Sequence, residues 1–164
     1  MSEIAQKSSL RMPVELVSSP VFLLKRLGGA AKEVSSEAYD EGGIRPFHYA
    51  ILAVLAEGER GTQGEIADAL GYDRGQLVGF LDELEESGLV ERRRDPLDRR
   101  RHVVQMTAEG QKALTKMRKL AARIDDDFLA PLTHEQREQL QSLLLLLAGD
   151  HVPQCSYAAK PQSL

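Results

Sequence analysis

The sequence predicts a mainly α-helical domain that carries one small β-hairpin, an α+β fold class. Apolar residues recur at spacings of three and four along most of the chain, which is typical of amphipathic helices. Two short apolar pairs, Leu89-Val90 and Val103-Val104, flank a charged stretch as the strands of a hairpin would. With 164 residues, 42% of them hydrophobic, the chain is long enough for one well-buried core and short for two.

The first helix is predicted from residue 18 to about residue 40, after a loosely ordered lead-in over residues 1–17. The run Ser18-Ser19-Pro20 offers serines for capping and a proline for the first helical turn. The pair Gly28-Gly29 lies inside this helical pattern, where each glycine costs roughly 1 kcal/mol relative to alanine. We therefore expect the helix to bend there or to be held by tertiary packing.

Two further helices follow after a break at residues 40–43. One opens at Pro46 and runs to about Glu57. Thr62 and Glu65 have the spacing of a capping box, in which each residue satisfies the other's backbone amide. A short helix through Leu70 is predicted behind this box.

The next helix is predicted from Asp73 to Ser87. Asp73 is suited to cap it with Gln76 at the third position, and Gly88 suits the left-handed position after its end. Two short capped helices joined by a glycine-containing turn are typical of a helix-turn-helix, whose second helix enters the major groove of DNA.

The tip of the predicted hairpin is strongly basic. Residues 92–101 contain six arginines and two aspartates, a charge of +4, whereas the whole chain has 21 − 25 = −4. A local basic segment on an acidic protein indicates an anionic partner, and nucleic-acid phosphate is the leading one. A solvated loop is the alternative for the run alone, but its place behind a helix-turn-helix favours the wing of a winged helix.

Two helices are predicted after the hairpin. Thr107 caps a long one that ends before Pro131, and the capping box of Thr133 and Gln136 opens the last one. The last helix is apolar nearly all round, with leucines at positions 140 and 143–147, so another surface must bury it. A core helix of a monomer is the alternative. Residues 149–164 are predicted to be a flexible tail.

The sequence argues against several classes of function. The lone Cys155 rules out an internal disulfide framework or a multi-cysteine zinc site, and the four histidines lack ligand spacing, so neither a metal nor a cofactor is expected. Phosphate-binding loops, dinucleotide fingerprints and nucleophile elbows are absent, so an enzyme is not expected. No apolar run is long enough to span a bilayer and no signal peptide is evident, so we expect a cytoplasmic protein.

The chain resembles the MarR family of bacterial winged helix-turn-helix transcription regulators. The resemblance lies in Pro46-Phe47, the helix from Gln63 to Leu70, the segments Leu84-Glu85 and Gly88-Leu89-Val90, and above all Asp95-Pro96-Leu97-Asp98-Arg99-Arg100 followed by Met106-Thr107-Ala108-Glu109-Gly110. It covers the order of six helices with a wing before the fifth.

The resemblance implies one domain over residues 18–148. Its winged helix-turn-helix would occupy about 45–106, and helices at about 18–40 and 107–148 would form a helical dimerisation region. The implied function is that of a ligand-responsive repressor, which binds double-stranded DNA as a homodimer at a pseudo-palindromic operator.

Residues of the groove-facing helix that remain free of the predicted core are candidates for reading DNA: Arg74, Gly75, Gln76, Val78 and Gly79. Arginine favours guanine, glutamine favours adenine, and valine can meet a thymine methyl group. The alternative for Gln76 is a purely capping role beside Asp73. The helix departs from the family at positions 79 and 83, where relatives often carry arginine, and its second half is acidic, with Asp82, Glu83, Glu85 and Glu86.

On the wing, Arg100 is the candidate for insertion into the minor groove, where narrow A·T-rich DNA concentrates negative potential. Asp98 is expected to orient Arg100 through a charge-assisted hydrogen bond. The other arginines of the run are expected to contact phosphates or stay solvated: Arg92, Arg93, Arg94, Arg99 and Arg101.

The family commonly responds to small aromatic or anionic effectors, and on that resemblance Arg26, His48 and Tyr49 are candidate effector-binding residues. Purely structural roles are the alternative for His48 and Tyr49. Two competing functions remain: a winged helix that docks on an acidic protein, and a DNA-binding redox sensor that switches through Cys155.

Overall fold

The computed structural model describes residues 11–58, 61–95, 98 and 100–155. The elements are α1 (Val14–Val17), α2 (Pro20–Glu41), α3 (Pro46–Glu57), α4 (Gln63–Leu70), α5 (Arg74–Glu86), β1 (Val90–Arg94), β2 (His102–Met106), α6 (Ala108–Phe128), α7 (His134–His151) and a 3-10 turn (Pro153–Cys155). The predicted class, mainly α-helical with one hairpin, is confirmed. By its contacts the chain divides into two compact units, one ending at Glu37 and the other beginning at Ala38.

Side-chain caps define the helix starts that the sequence predicts. Ser19 Oγ accepts the amide of Phe22 at 3.3 Å in the first turn of α2. Both capping boxes form, at Thr62 before α4 and at Thr133 before α7. Replacing such a cap by alanine typically costs about 1 kcal/mol.

The hydrophobic core of the second unit joins α3, α4, α5, the hairpin and α6. Its fully buried side chains are Ile51, Leu52, Ile66, Leu77, Leu81, Leu84, Val90 and Val104, and Leu114 and Met117 of α6 extend it. β1 and β2 are antiparallel, with Val90 opposite Met106 and Arg94 opposite His102. The amide of Val104 also donates to the Gly61 carbonyl at 2.7 Å, which ties the start of the helix-turn-helix to the wing.

The start of α6 lies so close to Leu89, in the turn between α5 and β1, that a glycine is required at position 110. Thr107 Oγ accepts the amide of Gly110 at 3.0 Å and donates to the Gly88 carbonyl at 2.7 Å. A Cβ atom at Gly110 would collide with the Leu89 carbonyl oxygen and lie 2.7 Å from Met106 Cγ. The Thr-x-x-Gly pattern therefore fixes where α6 leaves the hairpin.

The structure differs from the prediction near both ends. The short helix α1 lies within the predicted lead-in. The predicted helix over Gly28-Gly29 is formed as part of α2, but an added Cβ at either glycine would meet nothing within 4 Å, so no packing contact requires glycine there. The last helix runs past Gly149 to His151, because the chain first meets a true helix breaker at Pro153. The predicted tail is thus helical or in a 3-10 turn as far as Cys155; residues 1–10 and 156–164 lie outside the described residues.

Within the described ranges, no helix is long and apolar enough to cross a membrane.

Candidate DNA-binding surface

The start of α5 presents exposed side chains in front of a well-formed cap. Asp73 Oδ1 accepts the amides of Gly75 at 2.8 Å and Gln76 at 3.3 Å. The predicted cap is confirmed, but only in one direction, since no reciprocal bond from the Gln76 side chain to Asp73 is formed. The exposed Gln76 amide is therefore not used in a capping box.

The helical period divides α5 into a core side and an outward side. Leu77, Leu81 and Leu84 are buried. At 100° per residue, the positions directly opposite them are 75, 79, 82 and 86, which are two glycines followed by two carboxylates. Gln76 and Val78 flank this outward line, Arg74 at the first helical position projects nearer the core side, and all five predicted reading residues are exposed. Side chains able to reach a base edge are thus confined to the N-terminal half of the helix.

The wing tip is held by Asp98. Its Oδ1 accepts the backbone amide of Arg100 at 3.0 Å, and its carbonyl accepts the amide of Arg101 at 2.9 Å. The aspartate thus orients Arg100 through the backbone and not through the guanidinium, and its Oδ2 lies 4.0 Å from Arg101 Nε. The Arg100 side chain is exposed, whereas Arg99 lies outside the described residues.

Arg92 does not behave as a solvated or phosphate-facing arginine, which corrects the expectation from the sequence. Its backbone amide and its Nε donate to Glu85 at 3.0 and 2.9 Å, and its Nη2 lies 2.6 Å from both Glu85 Oε2 and Asp82 Oδ1. These bonds lower the pKa of Glu85 below its ordinary value and raise the pKa of Arg92. The side chain of Arg92 is 23% exposed, against 65% for Arg93, which pairs with Glu91 at 2.8 Å.

A second charged group joins α3 to the acidic half of α5. Glu83 Oε2 lies 3.6 Å from Arg45 Nε and 3.8 Å from His48 Nε2. The His48 side chain is 13% exposed, and its buried Nε2 makes no hydrogen bond. Burial is the main cause that lowers the pKa of His48 below 6.5; Glu83 opposes this shift and Arg45 adds to it.

The three predicted effector residues occupy different environments. Arg26 is exposed on α2, in the first unit. Tyr49 is half-buried and packs on the core, next to His48 on α3. Tyr39 was not predicted as a site residue; burial first, and then the charges of Tyr49 and Asp125, raise the pKa of its hydroxyl. Cys155, the residue of the redox alternative, is exposed in the 3-10 turn.

Comparison with known proteins gives a consistent result. The sequence model of the MarR family matches residues 43–101. A putative transcriptional regulatory protein for the hcr operon of Thauera aromatica is 37% identical over 102 residues, which are 62% of this chain and 61% of that relative.

Two solved structures cover more of the chain. The repressor CouR bound to a 23-mer DNA duplex has a TM-score of 0.74 at 32% identity, covering 84% of this chain and 99% of its own. CouR from Rhodococcus jostii bound to p-coumaroyl-CoA has a TM-score of 0.68 at 30% identity, covering 82% of this chain and 95% of its own.

Proposed function

The chain belongs to the MarR family of winged helix-turn-helix transcription regulators, and we propose that it is a ligand-responsive repressor that binds a pseudo-palindromic operator as a homodimer. The observation that carries the proposal is the exposed wing tip, where Asp98 fixes the backbone of Arg100 and leaves its guanidinium exposed. The same winged helix presents the capped start of α5.

The two parts of this surface have different roles in the proposal. Arg74, Gln76 and Val78 read bases in the major groove, and Gly75 and Gly79 let the backbone of α5 approach the groove floor. Arg100 enters the minor groove, while Arg94, Arg99 and Arg101 contact phosphates.

Exposed leucines on α7 support the homodimer. Leu143, Leu144, Leu146 and Leu147 are between 40% and 74% exposed, although the sequence predicts that this helix is buried by something. An apolar helix face of this kind is typical of a surface that another protein copy covers. The resemblance to the family assigns α2 and α6 to the same interface.

For the effector we propose a small aromatic or anionic molecule. The support is the buried Nε2 of His48, which makes no hydrogen bond, the adjacent Tyr49, and the p-coumaroyl-CoA bound by CouR. Arg26 stays a candidate for binding an anionic effector from the resemblance to the family alone. Because His48 also faces Glu83 of α5, an effector bound there would act directly on the reading helix.

The central test is operator binding by an Arg100→Ala variant. The operator is first obtained by selecting bound fragments from the organism's own DNA with purified protein. We expect the variant to lose roughly 1–3 kcal/mol of binding free energy and its salt slope to fall by about one unit. Arg11→Ala is the matched control, because Arg11 is exposed before α1, on none of the elements assigned to DNA or to the dimer.

Equal affinity of Arg100→Ala and the unchanged protein at moderate salt would contradict the wing assignment. The effector is tested by measuring release of the protein from a labelled operator duplex while aromatic carboxylates and their coenzyme A thioesters are titrated. Release by none of them would contradict the proposed effector class but leave the DNA-binding proposal standing.

A further inference from the structure

The acidic half of α5 presents an electrostatic problem for a helix that approaches DNA. Asp82 and Glu86 lie on the outward line of the helix, Glu83 flanks it, and Glu85 lies to the side, where Arg92 bonds it. Carboxylates on that line face phosphates of the same sign, so they oppose binding unless cations neutralise them. Something must therefore compensate these charges for α5 to enter the groove.

For three of these four carboxylates the compensation comes from outside the helix. Arg92 of β1 lies 2.6 Å from both Asp82 and Glu85, and Arg45 lies 3.6 Å from Glu83. Arg92 is the more tightly held of the two arginines, because its backbone amide also donates to Glu85. It is joined to the first strand of the wing, so its bonds connect the two DNA-contacting elements to each other.

We propose that Arg92 is a positioning residue for operator binding, which neutralises Asp82 and Glu85 and fixes the wing relative to α5 without contacting DNA itself. This inference rests on the proposed function and deepens it. Arg92 donates four bonds to these two carboxylates, one from its backbone amide and three from Nε and Nη2, so that only Nη1 lies outside these bonds, and its side chain has little exposed surface. Among the arginines of the run, Arg92 therefore stabilises α5 and does not bind DNA in this proposal.

A coupling experiment tests this role. Operator affinity of the full chain is measured for Arg92→Gln in two backgrounds, the unchanged protein and the Asp82→Asn/Glu85→Gln double variant. In the unchanged background we expect a loss of about tenfold, which lies within the range of coupling between residues of one salt-bridge network. In the double variant we expect a loss of at most about twofold, because no charge is left to compensate.

The two backgrounds separate positioning from direct contact. An arginine that touched a phosphate, or acted only through the net charge, would cost the same affinity in both, and that result overturns the inference. An unaffected Arg92→Gln variant overturns it as well.

Thermal unfolding accompanies each binding measurement. If Arg92→Gln alone does not fold, Arg92→Lys replaces it, since lysine keeps the charge but lacks the planar fork that bonds both carboxylates at once. We then expect the lysine variant to lose operator affinity in the unchanged background and at most about twofold in the double variant. Failure of the unchanged protein to bind its selected fragments over random duplex overturns the proposed function and this inference together.

Discussion

The proposed homodimer leads to the most quantitative prediction, and Leu146 of α7 tests it. Its side chain is 74% exposed. Leu146→Ala removes three carbon groups, each of which contributes about 0.8 kcal/mol when it is buried. A partner copy would cover the 74% of the side chain that is exposed, so the dimer interface would lose about 1.8 kcal/mol per copy. Because the substitution occurs in both copies, the dimer would lose about 3.5 kcal/mol, which raises its dissociation constant roughly 300-fold.

Sedimentation equilibrium over a dilution series measures this dissociation constant. Leu114→Ala is the contrasting variant, because Leu114 is 3% exposed in the core of one copy. It should lower the free energy of unfolding by about 2–5 kcal/mol without a matching effect on the dissociation constant. An unchanged dissociation constant for Leu146→Ala, or an unchanged protein that is monomeric at micromolar concentration, would refute the assignment of α7 to the interface.

Two other predictions concern folding stability. Gly110→Ala should lower the free energy of unfolding by about 1–3 kcal/mol or more, because the added Cβ meets the Leu89 carbonyl, part of the backbone, and urea titration measures this; a neutral result would show that α6 can shift freely. Burial lowers the pKa of His48 below 6.5, so as the pH falls through 6.5 the unfolded chain takes up the proton first and stability is lost. Urea midpoints at pH 7.5 and 5.5 should therefore differ less in His48→Gln than in the unchanged protein, and equal differences would exclude His48 as the cause.

The features that the sequence predicted well are local in the chain. The capping boxes at Thr62 and Thr133 need only two residues three positions apart, so their residue types and spacing were enough to place them. The hairpin was predicted from two apolar pairs, and its position behind α5 followed from chain order alone.

The features that the sequence did not predict depend on contacts between distant residues. Arg92 bonds Asp82, which lies ten positions earlier in the chain and on the other side of a tight turn. The pairing depends on the angle between β1 and α5, which the sequence alone does not determine. Gly110 was recognised only as part of a family pattern, because its neighbour Leu89 lies on another element. The tail predicted over residues 149–164 is wrong at its start, because α7 continues through Gly149 to His151 and the chain meets a helix breaker only at Pro153.

These contacts change how the arginine run contributes to DNA binding. Six arginines less two aspartates give +4, but Asp82, Glu85 and Glu91 each lie within 2.8 Å of an arginine of the run, and with these three carboxylates included the charge is +1. Arg101 also lies 4.0 Å from Asp98. The affinity of the wing therefore cannot follow from its net charge. It follows from position, since Arg92 is bound inward to support α5 while Asp98 holds Arg100 outward, and a salt slope counted from six arginines would overestimate the phosphates that each copy contacts.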